Sequence, residues 1–144
     1  MKLSTRTRYG MRAVIELAEN SGKKPLQLKL IAQRQDISVK YLEQLMSILR
    51  SGGIIRSIRG ARGGYTLARP ANQIKISEIF NCLEGPVITA ECVDDEDYCE
   101  RVADCAARIL WVKVQHVIKN IMESLTLQEL IDRAKDRKGS DYQI

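Results

Sequence analysis

Hydrophobic positions in the first seventy residues recur at spacings that predict three short helices followed by two strands. Helical spacing covers three stretches, at about 5–20, 28–35 and 39–51. Ser38 is a suitable N-cap for the third helix, and Gly52-Gly53 ends it. Strand-like segments at 54–58 and 65–67 flank a glycine-rich sequence. Two short helices joined by a tight turn and followed by a hairpin predict a winged helix-turn-helix.

One long amphipathic helix, predicted over about 102–124, dominates the second half of the chain. Its apolar residues recur at alternating spacings of three and four, as in a helix-packing seam: Ala107, Leu110, Val114, Val117 and Ile121. This stripe packs on its own domain, on a partner helix or on both, and its width in a small protein favours a dimer. Thr126 with Glu129 forms a capping box that opens a short last helix, through Ile131. The predicted fold class is mainly α with a small β wing, an N-terminal winged helix-turn-helix plus a long dimerisation helix.

Charge is distributed unevenly between the two halves. Residues 1–70 contain 14 Lys and Arg against 4 Asp and Glu, whereas residues 71–144 contain 9 against 14. A basic half joined to an acidic one is typical of a nucleic-acid-binding module attached to another region, although two ordinary solvated surfaces would also produce it. We therefore predict a DNA-binding domain over 1–70, and over 71–144 a cysteine loop, at about 86–106, with a helical dimerisation region.

The third helix and the hairpin carry side chains suited to reading DNA. With its apolar face turned inward, the third helix offers Lys40, Tyr41, Glu43, Gln44 and Ser47. Gln44 can pair with an adenine edge, and Glu43 either accepts from cytosine N4 or is merely solvated.

The hairpin tip combines charge with backbone freedom. Arg59 and Arg62 supply positive charge, and Gly60 lets backbone amides approach a phosphate. A narrow basic loop can also enter the minor groove. An ordinary glycine-rich hairpin is the alternative, but the position directly after a helix-turn-helix favours a wing.

Three of the four cysteines lie in one acidic segment. Cys92, Cys99 and Cys105 share residues 91–105 with seven Asp and Glu and one Arg. Three thiols this close in sequence can converge on one metal centre, and thiolates favour Fe–S clusters or zinc; three unligated thiols are the alternative. Cys82 fits a buried helical position. The single histidine, His116, is roughly 16 Å along the helix from Cys105, too far to share a cluster.

Other features exclude several function classes. The amino-terminal stretch has no apolar core of a signal peptide, and no run approaches the ~18 apolar residues of a membrane span, so a cytosolic protein without a membrane partner is expected. In that compartment, cysteines indicate metal binding or redox chemistry rather than structural disulfides. The sequence lacks the motifs that would indicate an enzyme: it has no Cys-x-x-Cys, no histidine near a thiol and no phosphate-cradling loop before a helix.

Three stretches, 1–4, 37–45 and 59–65, closely resemble the Rrf family of bacterial winged-helix regulators, which includes IscR, NsrR and CymR types. The similarity runs over nearly the whole chain. The resemblance implies that Tyr41, Glu43 and Gln44 face bases and that Arg59 makes the wing contact. It further implies a symmetric homodimer on a near-palindromic double-stranded operator.

The same resemblance bears on the cysteines. It implies that Cys92, Cys99 and Cys105 match the ligands of the cluster-binding branch, which hold a [2Fe-2S] or [4Fe-4S] cluster, whereas the CymR-like branch lacks this triad. One departure concerns the fourth ligand. The IscR pattern has a histidine three residues after the last cysteine, where this chain has Arg108, so the fourth ligand and the stimulus are left open.

The predicted function is a DNA-binding transcriptional regulator that senses iron–sulfur, redox or nitric-oxide status through a cluster held by three cysteines. The alternative is a cluster-free winged-helix regulator of cysteine or sulfur metabolism that responds to a protein partner or to thiol oxidation. The predicted DNA-binding residues are Ser38, Lys40, Tyr41, Glu43, Gln44, Arg59, Gly60 and Arg62, and the predicted metal ligands are Cys92, Cys99 and Cys105.

Overall fold

The computed structural model describes the backbone of residues 1–141 and the side chains of residues 1–139. Within this part, seven α-helices accompany one antiparallel pair of strands. In chain order the elements are α1 (Thr5–Glu19), α2 (Leu28–Gln35), α3 (Val39–Ser51), β1 (Ile55–Ile58), β2 (Gly64–Leu67), α4 (Ile76–Leu83), α5 (Glu91–Asp94), α6 (Ala106–Ser124) and α7 (Leu127–Asp141).

Helices α1 to α3 form where the hydrophobic spacing predicts them. Serine side chains cap two of them: Ser4 accepts from the Thr7 amide, and Ser38 accepts from the Tyr41 amide, each at 3.1 Å. The turn between α2 and α3 passes through Asp36, whose φ of 54° is left-handed. The inward face of α3 is buried as predicted, and consists of Leu42, Leu45, Met46 and Leu49.

The wing is a two-stranded hairpin fixed to the helical part at its base. Ile55 pairs with Leu67 and Ile58 with Gly64. Tyr65 also exchanges two backbone hydrogen bonds with Leu26, just before α2, at 2.8 and 3.1 Å. A β-carbon on Gly63 would lie 2.0 Å from the Ile58 carbonyl oxygen, so the turn leaves no space for a side chain at this position.

The second half of the chain returns to the first half through α7. Leu127 and Ile131 are buried in the same apolar cluster as Val14 of α1. Backbone hydrogen bonds support this return: the Leu127 amide donates to Ile74 at 2.8 Å, and the Ile76 amide donates to Leu125 at 2.9 Å. One hydrophobic core therefore includes residues from both predicted regions.

The long helix differs from its predicted extent at the amino-terminal end. It begins at Ala106 rather than near residue 102, because Cys105 has extended backbone angles, with φ −83° and ψ 110°. The Thr126–Glu129 capping box is present, with both hydrogen bonds formed at 2.9 and 3.2 Å. Helix α7 runs to Asp141, ten residues past the predicted end at Ile131. Among the described residues, no helix is both long and apolar enough to cross a membrane.

Candidate DNA-binding face and cysteine loop

An open groove lies between the exposed face of α3 and the wing. Three predicted residues line it, namely Lys40, Glu43 and Gln44. Ser47, Ile48, Arg50 and Tyr65 complete the lining. Arg50 comes within 3.4 Å of the Ser57 hydroxyl on β1, which links α3 to the wing. Polar groups able to donate and accept therefore converge on one concave surface, as base-edge recognition requires.

Tyr41 and Ser38 are placed differently from the other predicted residues. The Tyr41 ring is half-buried, packs edge-on against Tyr9 of α1 at a centroid distance of 6.2 Å, and holds its hydroxyl 3.4 Å from Thr5. Arg8 and Arg12 lie over the Tyr9 ring at 5.9 and 5.3 Å. Tyr41 therefore connects α3 to α1, and Ser38 uses its hydroxyl oxygen as the N-cap of α3.

The wing tip carries exposed positive charge. Arg59, Gly60 and Arg62 are all exposed, and Gly60 adopts a φ of 108°, which favours glycine. The ion pairs found within the described residues join Arg34 to Glu16, Arg69 to Glu78 and Lys75 to Glu123. None of these pairs neutralises the wing tip, so its charge is available to a polyanion.

The cysteine loop spans residues 86–105 and packs against the first turns of α6. Cys92 lies in the short helix α5 and Cys105 caps α6, and both are half-buried, whereas Cys99 is exposed. Arg108 stands among them: its Nε donates to the Cys92 carbonyl at 2.9 Å. Its side chain also lines one depression with Cys105 and another with Cys99.

A buried glutamine attaches the start of this loop to α6. Gln115 is 4% exposed and is the buried residue that α6 contributes within the described chain. Its Oε1 accepts from the Thr89 amide at 2.9 Å, and its Nε2 donates to Asp94 Oδ1 at 2.9 Å. The Thr89 hydroxyl donates to the Trp111 carbonyl at 3.0 Å. The side chain is therefore satisfied on both its donor and its acceptor sides.

The chemistry of the donor set fits an iron–sulfur cluster, because three thiols lie in one short segment and thiolates are the usual ligands of such clusters. The arrangement differs from a closed site: among the described residues, no three His, Cys, Asp or Glu side chains are close enough together to hold one metal ion. Binding of a cluster would therefore require the loop to rearrange so that the three thiols meet.

The remaining thiol and the histidine lie away from this loop. Cys82 packs against the core, its Sγ lies 3.3 Å from the Ile48 carbonyl, and burial raises the pKa of its thiol. His116 is exposed and its Nε2 is 3.0 Å from Asn120. Both placements agree with the expectation that neither residue belongs to the cysteine site.

Sequence reasoning did not single out Arg50, Tyr65, Thr89 or Gln115. Arg50 lies three residues after Ser47 and seven after Glu43, so helical spacing alone adds it to the predicted recognition surface of α3. Gln115 is seven residues after Arg108 and so lies on the same face of α6, which is a different face from the apolar seam. That spacing was a usable signal, whereas its partners in the loop are set by tertiary structure.

Comparison with known proteins decides the family. A family model described as Rrf2, iron-dependent transcriptional regulator, matches residues 3–133. The chain belongs to the Rrf2 family. The HTH-type transcriptional regulator CymR of Bacillus subtilis is 42% identical over 130 residues, covering 90% of this chain and 89% of that protein. The regulator IscR of Cronobacter sakazakii is 34% identical over 143 residues, covering 99% of this chain and 88% of that protein.

Solved structures of Rrf2 regulators share the fold. The structure of CymR, the global cysteine regulator of B. subtilis, matches with a TM-score of 0.80 at 41% identity, covering 92% of this chain and 98% of that one. The structure of T. potens IscR matches with a TM-score of 0.77 at 36% identity, covering 95% of this chain and 90% of that one. These findings confirm the family resemblance, the winged-helix fold class and a transcriptional regulator rather than an enzyme.

Proposed function

We propose that this Rrf2 regulator binds a near-palindromic operator as a homodimer and that the state of its three loop cysteines controls the binding. The observation that carries the proposal is the construction of α6. This helix holds the cysteine loop on one face, through Arg108 and Gln115, and exposes an apolar seam on another. The same element is therefore suited to join two subunits and to transmit a change in the loop.

The exposed seam supports the dimer. Four large apolar side chains of this seam are 38–59% exposed in the single chain: Leu110, Val114, Val117 and Ile121. A contiguous apolar surface of this kind is uncommon on a monomer and is typical of an interface. A second copy of α6 would cover it symmetrically. Binding of the two α3 helices to successive half-sites would follow from that symmetry.

The groove and wing support the proposed contacts with DNA. Glu43 and Gln44 face the groove, where they would contact base edges, and Lys40 would contact phosphate. Arg59, Gly60 and Arg62 would contact the backbone and minor groove from the wing tip. Tyr41 would act mainly by orienting α3 against Tyr9. DNA binding would place the protein in the cytoplasm with the chromosome.

Cys92, Cys99 and Cys105 would hold an iron–sulfur cluster, which would supply a centre sensitive to oxygen, nitric oxide or iron supply. Arg108 takes the place of the histidine found in the IscR pattern, and it already binds the Cys92 carbonyl. The fourth ligand would therefore be a loop carboxylate or an exogenous group.

Anaerobic reconstitution with iron and sulfide tests this proposal. We expect Cys92→Ala, Cys99→Ala and Cys105→Ala each to lose the visible absorbance and the bound iron and sulfide, while remaining folded. Cys82→Ala serves as the matched control, since this thiol contacts Ile48 and lies outside the loop. A Cys82→Ala protein without cluster, together with a Cys99→Ala protein that keeps it, would refute the assignment of ligands.

A second candidate is a cluster-free regulator in which the same cysteines act as thiol switches. Two observations favour it: no three donor side chains converge within the described residues, and CymR of B. subtilis is 42% identical. Under this hypothesis, reconstituted wild-type protein stays colourless. A change in operator affinity after oxidation by hydrogen peroxide, reversed by dithiothreitol, would then select the thiol switch.

A further inference from the structure

The cysteine loop consists of two parts that differ in how they are attached to α6. Residues 89–94 are joined to the helix through Gln115, Trp111 and Arg108. Asp94 completes this attachment by accepting from Gln115 at 2.9 Å. Cys92 is carried by this part and is half-buried.

Residues 95–104 are attached differently. Their hydrogen bonds within the described chain stay inside the loop, for example from the Asp95 amide to Glu91 at 3.1 Å and from the Val102 amide to Cys99 at 3.2 Å. Every residue from 95 to 101 is exposed, Cys99 among them. This part also contains five Asp and Glu against one Arg, so its own charges oppose compaction.

We propose that Gln115 is a positioning residue that holds residues 89–94, and Cys92 with them, on α6 before any ligand binds, whereas the segment with Cys99 is not attached to that helix. This inference rests on the proposed function of the cysteine loop. It assigns to Gln115 a role in ordering the loop rather than in ligating metal.

The identity of the side chain supports a positioning role. The residues of the apolar seam are exposed, whereas the buried position on the side of α6 that faces the loop is occupied by an amide, which spans two points of the loop five residues apart. A buried apolar side chain could fill this space but could not accept from Thr89 and donate to Asp94. Loss of these bonds would leave the Thr89 amide without its partner, which favours local opening.

Cys105 is positioned by the helix itself, since it is the N-cap of α6. Arg108 is three residues later, and residues three apart on a helix are neighbours. Because the Nε of Arg108 binds the Cys92 carbonyl at 2.9 Å, the backbone of Cys92 lies close to the first turn that carries Cys105. The backbone of Cys92 and that of Cys105 are therefore both anchored to α6 without contribution from Cys99.

The test uses the full-length metal-free protein and two readouts, amide hydrogen exchange and the rate of thiol alkylation by iodoacetamide. In Gln115→Leu, we expect exchange over residues 89–94 and alkylation of Cys92 to accelerate roughly tenfold or more, since one or two buried hydrogen bonds are lost. Alkylation of Cys99 should change less than about twofold, because that thiol is already exposed. His116→Leu, at an exposed neighbouring position, is the matched control and should leave both rates unchanged.

Unchanged exchange and alkylation in Gln115→Leu would overturn the proposal, as would equal acceleration at Cys92 and Cys99. Should Gln115→Leu fail to fold, Thr89→Val combined with Asp94→Ala removes the loop partners and should reproduce the selective effect on Cys92. Gln115→Glu keeps the acceptor for Thr89 but repels Asp94, so we expect rates of amide exchange and of Cys92 alkylation between those of wild type and Gln115→Leu. Failure of the proposed function would be distinguishable from failure of this inference. It would appear as a lack of bound iron in the reconstituted wild-type protein, whatever the alkylation rates.

Discussion

Replacement of Val117 by Asp gives the most direct test of how α6 associates with a second copy. In the single chain Val117 is 54% exposed, so the substitution places a carboxylate in water and should leave the protomer folded. Covering the exposed half of a valine stabilises an interface by about 1 kcal/mol, and burying an unpaired carboxylate costs more than that gain. Because a two-fold interface contains each substitution twice, we expect a loss of at least about 3–4 kcal/mol, or roughly a hundred- to thousandfold in the dimer dissociation constant.

Sedimentation equilibrium over a range of micromolar concentrations measures this change. We expect wild type to sediment as a dimer and Val117→Asp as a monomer with an unchanged far-ultraviolet circular dichroism spectrum. His116→Asp introduces the same charge on an exposed neighbouring residue and should stay dimeric. A wild-type monomer at these concentrations, or a Val117→Asp dimer as tight as wild type, would refute the reasoning.

Four further substitutions test other parts of the structure. Arg59→Ala should weaken binding to all DNA sequences, whereas Gln44→Ala should relax preference at one base pair per half-site by about 1–3 kcal/mol, as measured by fluorescence anisotropy on matched and mismatched operators. Gly63→Ala should disorder the wing, because its β-carbon would meet the Ile58 carbonyl, and operator affinity should fall while helical content is kept. Hydrogen bonds from the Ser4 and Thr7 hydroxyls lower the pKa of Glu84 below its usual 4.5. Its contribution to stability is therefore present above that value and lost as the pH falls through the folded-state pKa, so Glu84→Gln should lower Tm at neutral pH and the difference from wild type should vanish in acid.

The winged helix could be predicted because its signals are local. Ser38 is a favoured N-cap, and the four buried residues of α3 repeat at helical spacing within a single element. The turn at Gly63 is local for the same reason, since a β-carbon there would meet the carbonyl oxygen of Ile58, only five residues earlier. Such features can be predicted without knowing which segments that are distant in sequence come into contact.

The attachment of the cysteine loop could not be predicted in this way. Gln115 appears in the sequence as one polar residue beside valines, and its partners Thr89 and Asp94 are more than twenty residues away. The packing of Tyr41 on Tyr9 also joins residues that are distant in sequence, so it could not be predicted, and the base-contacting role of Tyr41 stays a prediction. Spacing within α6 does distinguish its polar face from its apolar seam, but it does not identify what each face contacts.

A continuous set of contacts links the segment that precedes the cysteine loop to the recognition helix. Glu84 stands just before this loop and accepts a hydrogen bond from Ser4 at 2.6 Å, and Ser4 caps α1. In the first turn of the same helix, Thr5 lies 3.4 Å from the hydroxyl of Tyr41 on α3. Contact alone does not establish coupling, which needs an element with two arrangements that both sites bias. The cap of α1 is suited to be that element, because displacing Glu84 would remove the partner of Ser4 without opening the core.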